Sequence, residues 1–159
     1  MKLFIIAVGK IKEDWIYQGI SQYQLWLKRY TDMAIIEVQA ETLQKEPSPD
    51  ELARICDKEG VRLSKEVPPG SYTIALDRDG TLHSSLGFSD EISRLSLKGE
   101  SKVVFLIGGP FGLSGRILSG ADSRISLSTL TFPHPLARLI LLEQLYRGFS
   151  YIANHPYHK

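Results

Sequence analysis

Three of the four histidines, His134, His155 and His158, lie beyond Phe132, in the segment TFPHPLARLILLEQLYRGFSYIANHPYHK that runs from Thr131 to Lys159. The segment is entered through Pro133-His134-Pro135 and left through Asn154-His155-Pro156, and it carries Arg138, Glu143, Arg147 and Tyr157 between or beyond these breaks. Chain ends normally fray and tolerate change, so titratable residues gathered around prolines there point to a site. Histidine is the side chain whose ordinary pKa suits proton transfer near neutral pH. Metal binding is a weaker reading of the same residues, because no carboxylate stands at helical ligand spacing to the histidines.

Other chemistry can be set aside motif by motif. The glycine run Gly108-Gly109-Pro110-Phe111-Gly112 lacks the Gly-Lys-Ser/Thr of a phosphate loop, and Gly9-Lys10-Ile11-Lys12 lacks a dinucleotide fingerprint. No Gly-x-Ser-x-Gly nucleophile elbow occurs. Asp77 and Asp79 belong to an expected turn, where Asp79-Gly80 would supply a positive φ. Glu143 can pair with Arg147 one helical turn on, and His155 beside Asn154 reads as a helix C-terminal residue favoured by the dipole. His134, held between two prolines, reads as a residue that shapes its loop.

These residues need elements to position them. The 159-residue length suits one compact domain, and the composition, 43% apolar and 23% charged, is that of an ordinary globular protein. It excludes a disordered chain and a disulfide-held miniature. Cys56, alone, has no internal disulfide partner and reads as a small buried hydrophobe. The apolar run at Leu3–Val8 is too short for a signal sequence and is closed by Lys10 and Lys12, and no segment approaches membrane-spanning length. A cytoplasmic protein is expected.

Strand-like and helix-like stretches alternate. Strands are expected at Leu3–Gly9, Met33–Gln39, Ser71–Leu76, Lys102–Ile107 and Arg124–Ser128, with helices at about Asp14–Tyr30, from Ser48 with its capping box, at Ser85–Leu97 and at Pro135–Asn154. The run KVVFLI at Lys102–Ile107 is continuous in the manner of a strand covered on both faces. The alternation predicts an α/β domain with a mostly parallel sheet flanked by helices. Ligands bind such sheets at the carboxyl ends of strands, which directs attention to the exits near Leu76, Gly108 and Ser128.

The pairing of FLIGGPFGLS at Phe105–Ser114 with ISLSTLTFPHPLARLILLEQLYRGFSYIANHPYHK, which runs from Ile125 to the end, resembles the RlmH family, SPOUT-class methyltransferases of bacterial 23S ribosomal RNA. The likeness extends over the whole chain. It implies one domain, residues 1–159, with a C-terminal trefoil knot spanning about residues 103–155. It also implies a homodimer, S-adenosylmethionine (SAM) as cofactor, and methylation of a pseudouridine at N3 in assembled ribosomes. Matching motifs imply cofactor contacts at Leu76, Gly108, Leu127, Ser128, Thr129, Leu130, Thr131 and Phe132. The resemblance further makes His158 the candidate base or proton relay and Tyr157 a positioning group, with the partner subunit helping to close the site. Arg147, with Arg138 and Lys159, would hold RNA phosphate or the developing imide anion. Because the chain stops at Lys159, its terminal carboxylate would lie close to His158.

A net charge of +1 gives little sequence-independent affinity for naked RNA, so a folded ribosomal surface is the expected substrate. Two other readings stay open on the sequence alone. One is a non-catalytic RNA- or ribosome-binding protein with the same fold, and the other is a related methyltransferase acting on a ribose 2′-hydroxyl.

Overall fold

The computed structural model describes residues 1–42 and 46–158, the last of these in its backbone only. Its strands are β1 (Lys2–Val8), β2 (Asp32–Val38), β3 (Tyr72–Leu82), β4 (Lys102–Ile107) and β5 (Ser123–Ser126). Its helices are α1 (Asp14–Leu27), α2 (Pro49–Glu66), α3 (Ser85–Leu97), α4 (Gly115–Gly120) and α5 (His134–Ile152), and a 3-10 turn closes the chain at Pro156–His158. The sheet order is β2-β1-β4-β3-β5, and every pairing is parallel. The α/β class with a parallel sheet and helices on both faces is therefore as expected.

Alternation along the central strands divides the core in two. Leu3, Ile5, Ala7, Val103, Phe105 and Ile107 face α1, α3 and α5, where Ile16, Ile20, Ile92, Leu95, Leu141 and Leu145 close over them. Ile6, Val8, Val104 and Leu106 face the opposite way, against Leu63 of α2 and Ile117 of α4. Burial on both sides explains why β1 and β4 read as unbroken apolar runs. The capping box of α2 forms as its sequence specifies, with Ser48 Oγ accepting from the Glu51 N–H and the Glu51 carboxylate accepting from the Ser48 N–H.

Two local expectations need correction. β3 does not turn at Asp77–Gly80 but continues to Leu82, with a register shift against β5 in which Leu76 and Thr81 both pair with Ile125. Gly80 has no positive φ; it is required because a Cβ there would meet the Ile125 backbone at 2.6 Å. An Asp-Gly pair thus marks a bulge where a strand presses on its neighbour. The second correction is Arg138, expected among the RNA-facing cations. Its side chain is fully buried, where Nη2 donates to the carbonyls of Val8 at 2.5 Å and Gly9 at 2.7 Å, and Nη1 donates to Glu37 at 2.9 Å. A cation placed there ties the ends of β1 and β2 to α5 and is out of reach of any phosphate.

The end of α5 is set by Asn154, which adopts φ 56°. The Asn154 N–H donates to Tyr151 O at 2.9 Å and the His155 N–H to Ser150 O at 2.8 Å, a Schellman pair. His155 thus caps through its backbone, while its Nδ1 lies 2.6 Å from the Tyr30 hydroxyl.

Replacing Arg138 by Met should remove its ion pair and take the guanidinium donor from the buried Val8 carbonyl and the half-buried Gly9 carbonyl, at a cost of about 3–5 kcal/mol. Urea denaturation of wild type and Arg138→Met measures the difference directly.

Candidate active site

The exits of β3, β4 and β5 open into one cleft that encloses about 600 Å³ of space open to solvent. Its β3 side is Leu76, Asp77 and Arg78, and its floor is Ile107, Gly108, Gly109 and Gly112. The remaining wall is Ile125–Ser128 and Leu130–Phe132, with His134 and Ala137 from the start of α5. Asp77 faces Arg124 across this end of the sheet at 3.5 Å.

Each loop has a physical reason for its composition. The glycine loop folds back so tightly that a Cβ on Gly108 would meet the Gly112 carbonyl at 2.3 Å, and Gly112 itself takes φ 82°. The Gly112 N–H donates to Gly109 O at 3.0 Å and closes the turn. Turn geometry and ligand approach therefore make the same demand: the glycines leave their part of the floor without side chains to block a flat ligand. The loop after β5 is braced by its own serines, with Ser126 Oγ donating to Ser128 O at 2.9 Å and the Leu130 N–H donating to Ser128 Oγ at 3.0 Å.

Seven of the eight expected cofactor residues, Leu76, Gly108, Leu127, Ser128, Leu130, Thr131 and Phe132, line this cleft together. Thr129 is exposed and is not part of the lining. The expected catalytic residues lie elsewhere on the chain. Arg147 stands ten residues along α5 from Ala137, a helical distance of about 15 Å. Its Nε and Nη2 donate to Glu143 Oε1 at 3.0 and 2.5 Å, which holds the guanidinium pKa above its usual value. The guanidinium also lies 5.2 Å from the centre of the Tyr157 ring. Tyr157 packs edge-on against Tyr146 at 4.6 Å, and its hydroxyl is 3.1 Å from that of Tyr23. Burial and the Tyr23 bond push its phenol pKa well up, so Tyr157 is a neutral hydrogen-bonding group rather than a base. The His158 side chain and Lys159 lie outside the described residues. Among the described residues no group of three metal-ligating side chains assembles, and no helix is long and apolar enough to cross a membrane.

Two residues near the cleft carry weight that their sequence positions do not announce. His134 lines the cleft with its Nδ1 3.3 Å from Arg138 Nη2; burial first, and the arginine charge second, lower its pKa. Glu59 of α2 is 3% exposed and lies behind the glycine floor, where a Cβ on Gly109 would stand 3.1 Å from its Oε2. Its Oε1 accepts the Glu41 N–H at 2.9 Å, while Oε2 has no hydrogen-bond partner. Its sequence signal was a charge interrupting the inward face of a helix, Cys56-x-x-Glu59-Gly60-x-x-Leu63.

A parallel sheet that gathers a glycine loop and a serine-braced loop at its strand exits defines a small-molecule-binding α/β domain. The chain belongs to the SPOUT methyltransferase family: the family model described as "Predicted SPOUT methyltransferase" matches residues 1–158. It is 46% identical, over the full length of both chains, to the ribosomal RNA large subunit methyltransferase H of Halothermothrix orenii. It is 45% identical, again over the full length of both, to the protein of the same name from Carboxydothermus hydrogenoformans. Among solved structures, it shares its fold with one from Legionella pneumophila described as a methyltransferase in complex with the bound cofactor SAM. That similarity has a TM-score of 0.50 at 12% identity and covers 96% of this chain and 66% of the other.

Burial holds the Glu59 carboxyl above the ordinary glutamate range, against the opposing bond from the Glu41 N–H. A carboxyl raised in the folded state binds its proton more tightly there, so its contribution is present below the unfolded pKa and is lost as pH climbs through the folded one. The melting temperature of wild type relative to Glu59→Gln should therefore fall as pH rises from about 4.3, the unfolded glutamate value, in a paired pH series of thermal melts.

Proposed function

We propose that this chain is a SAM-dependent methyltransferase that acts as a homodimer on assembled ribosomes in the cytoplasm, methylating N3 of a pseudouridine in 23S ribosomal RNA. The observation that carries this is the meeting of the Gly108 loop and the Leu127–Phe132 loop in one cleft, in a chain alike along its whole length to large-subunit rRNA methyltransferases.

The cleft suits the proposed cofactor. Leu76, Leu127, Leu130 and Phe132 give apolar walls for a flat heterocycle, the glycine floor lets its edges reach backbone N–H and carbonyl groups, and the Asp77 carboxylate lies where a cationic ligand is favoured. SAM, when bound, supplies an electrophilic methyl group on a sulfonium. The acceptor makes its own demand: N3 of a pseudouridine is an imide nitrogen that must give up its proton before its lone pair can attack. His158 is assigned to take that proton, since an imidazole titrates near working pH. Tyr157, neutral and already gripped by Tyr23 and Tyr146, positions the end of the chain. Arg147 supplies positive charge to an RNA phosphate or to the imide anion.

The 15 Å between Arg147 and the cleft explains why a dimer is part of the proposal. On this reading each tail serves the cleft of the partner rather than that of its own chain. Two copies of α5 crossing antiparallel near Glu143 would set Arg147 of one opposite Leu139 of the other, and so bring each tail to the partner's cleft. The charge balance supports the ribosome as substrate, because a chain of net charge +1 gains little from phosphate neutralisation alone.

Labelled methyl transfer from SAM to ribosomes, with and without the target pseudouridine, tests the reaction, and mass mapping of the nucleoside identifies the acceptor atom. The expected product is N3-methylpseudouridine on pseudouridine-containing ribosomes only. His158→Ala should keep SAM affinity and lose about 10²–10⁴-fold in transfer; transfer at the wild-type rate would overturn the assignment of the base. A mixture of His158→Ala with a cleft-blocked Gly108→Arg chain should regain part of the activity that each homodimer lacks, and failure to do so would place the tail and cleft on one chain.

A further inference from the structure

Beside the cofactor cleft lies a second cavity, between α3 and α5, that shares Ile125, Ser126 and Leu127 with it. Its open volume is about 530 Å³. A methyl acceptor must come within about 3–3.5 Å of the carbon it attacks, so its ring has to occupy space that adjoins the cleft. Two further cavities, around Ser64, Arg116 and Ile117 between α2 and α4, lie on the other face of the sheet and share no lining residue with the cleft. The α3–α5 cavity has the position they lack.

Its chemistry also suits a nucleobase. Phe88, Ile125, Leu127 and Ile140 offer apolar surface to the faces of a planar ring, and Ser85 and Gln144 offer polar atoms to its edge. Gln144 is fixed before any ligand arrives. The Ser85 hydroxyl donates to its Oε1 at 2.7 Å, and its Nε2 donates to Glu143 Oε2 at 2.5 Å. A carboxamide carries two N–H donors and two acceptor lone pairs, so one N–H and one lone pair of Gln144 are left over from these bonds. Glu143 in turn holds Arg147, which stacks on Tyr157. One connected line of polar contacts thus runs from the cavity to Arg147 and the Tyr157 ring of the same chain.

We propose that the α3–α5 cavity receives the target uracil-type base, and that the fixed carboxamide of Gln144, oriented by Ser85 and Glu143, donates a hydrogen bond to a ring carbonyl beside N3. This rests on the methyl-transfer reading given above. When N3 loses its proton, negative charge spreads onto the flanking carbonyl oxygens, and a donor already aimed at one of them stabilises that charge without having to reorganise. Gln144 is then a specificity-determining residue: it favours a ring with an imide edge over one that offers an amino group in the same place.

Gln144→Met keeps the length of the side chain and removes its donors, and Ser85→Ala leaves Gln144 in place but unclamped. The measurements are SAM affinity by calorimetry, dimer mass by light scattering, and the ribosome-concentration dependence of labelled methyl transfer. The expected result is unchanged SAM affinity and dimer mass, with transfer kcat/KM reduced by about tenfold or more in Gln144→Met and by a smaller factor in Ser85→Ala. Transfer by Gln144→Met at the wild-type rate would overturn the base site. Loss of SAM affinity in both variants would also overturn it, by giving the cavity to the cofactor, and loss of the dimer would do so by giving it to the partner's tail. A wild-type protein that transfers no methyl group would remove the functional reading and the base site with it, whereas an active wild type with an equally active Gln144→Met removes the base site alone.

Discussion

The guanidinium of Arg138 is the contact on which the arrangement depends. Desolvating a cation is expensive, and this one is compensated by the carbonyls of Val8 and Gly9 and by the Glu37 carboxylate, with desolvation still the largest influence on its pKa. Its Nε has no partner. What the buried charge secures is direction: three separate elements, the exit of β1, the end of β2 and the start of α5, meet at one planar group. Glu37 serves the same junction a second time by accepting the Ile11 N–H at 3.1 Å. His134, one helical turn before Arg138, is thereby held against Gly9 and forms part of the cleft wall.

From that anchor α5 extends away from the cleft, and its two ends have different characters. The upper end meets loops without side chains or with short ones, where a ligand can touch backbone. The lower end is aromatic: Tyr23, Trp26, Tyr30, Tyr146, Phe149 and Tyr157 pack ring against ring, and the chain reverses at Asn154 to bring Tyr157 back onto this cluster. Rigid aromatics lose little side-chain entropy on packing, which suits a place where a short terminal segment must be held in one position. Glu143, Gln144 and Arg147 bridge the two regions along one face of the helix.

Much of this was legible from residue order. Unbroken apolar runs identified the buried strands, Ser48 and Glu51 marked the start of α2, and the strand-exit rule located the cleft from sequence. The failures have physical causes. Asp79-Gly80 was read through its turn propensity, but the close approach of β5 decides that glycine's role, and a neighbouring strand is not visible in local sequence. The short helix α4 is a single pair of turns begun by the Ser114 cap, too brief for periodicity to register. Arg138 and Glu59 were hidden for a related reason: a charged residue on an apolar face looks like an exposed exception until its partners, more than a hundred residues away for Arg138, are in view. The pairing of Glu143 with Arg147 was legible from their spacing, yet the separation of Arg147 from the cleft along α5 is a matter of three-dimensional distance that motif matching does not contain.

The span of the Arg138 contact bears on the order in which the molecule can assemble. Its bond to the Val8 carbonyl joins residues 130 positions apart, and the sheet is built wholly of parallel pairs, which also join distant segments. Closing such loops costs entropy before any contact returns it, so the fold belongs to the slow-forming, high-contact-order kind. The cleft wall at residues 125–137 is synthesised more than a hundred residues after Val8. A nascent chain therefore has its β1 exit waiting, with carbonyls of Val8 and Gly9 in water, until α5 arrives. Ligand binding can add its stabilisation only after that step, and so it rewards completed molecules rather than guiding incomplete ones.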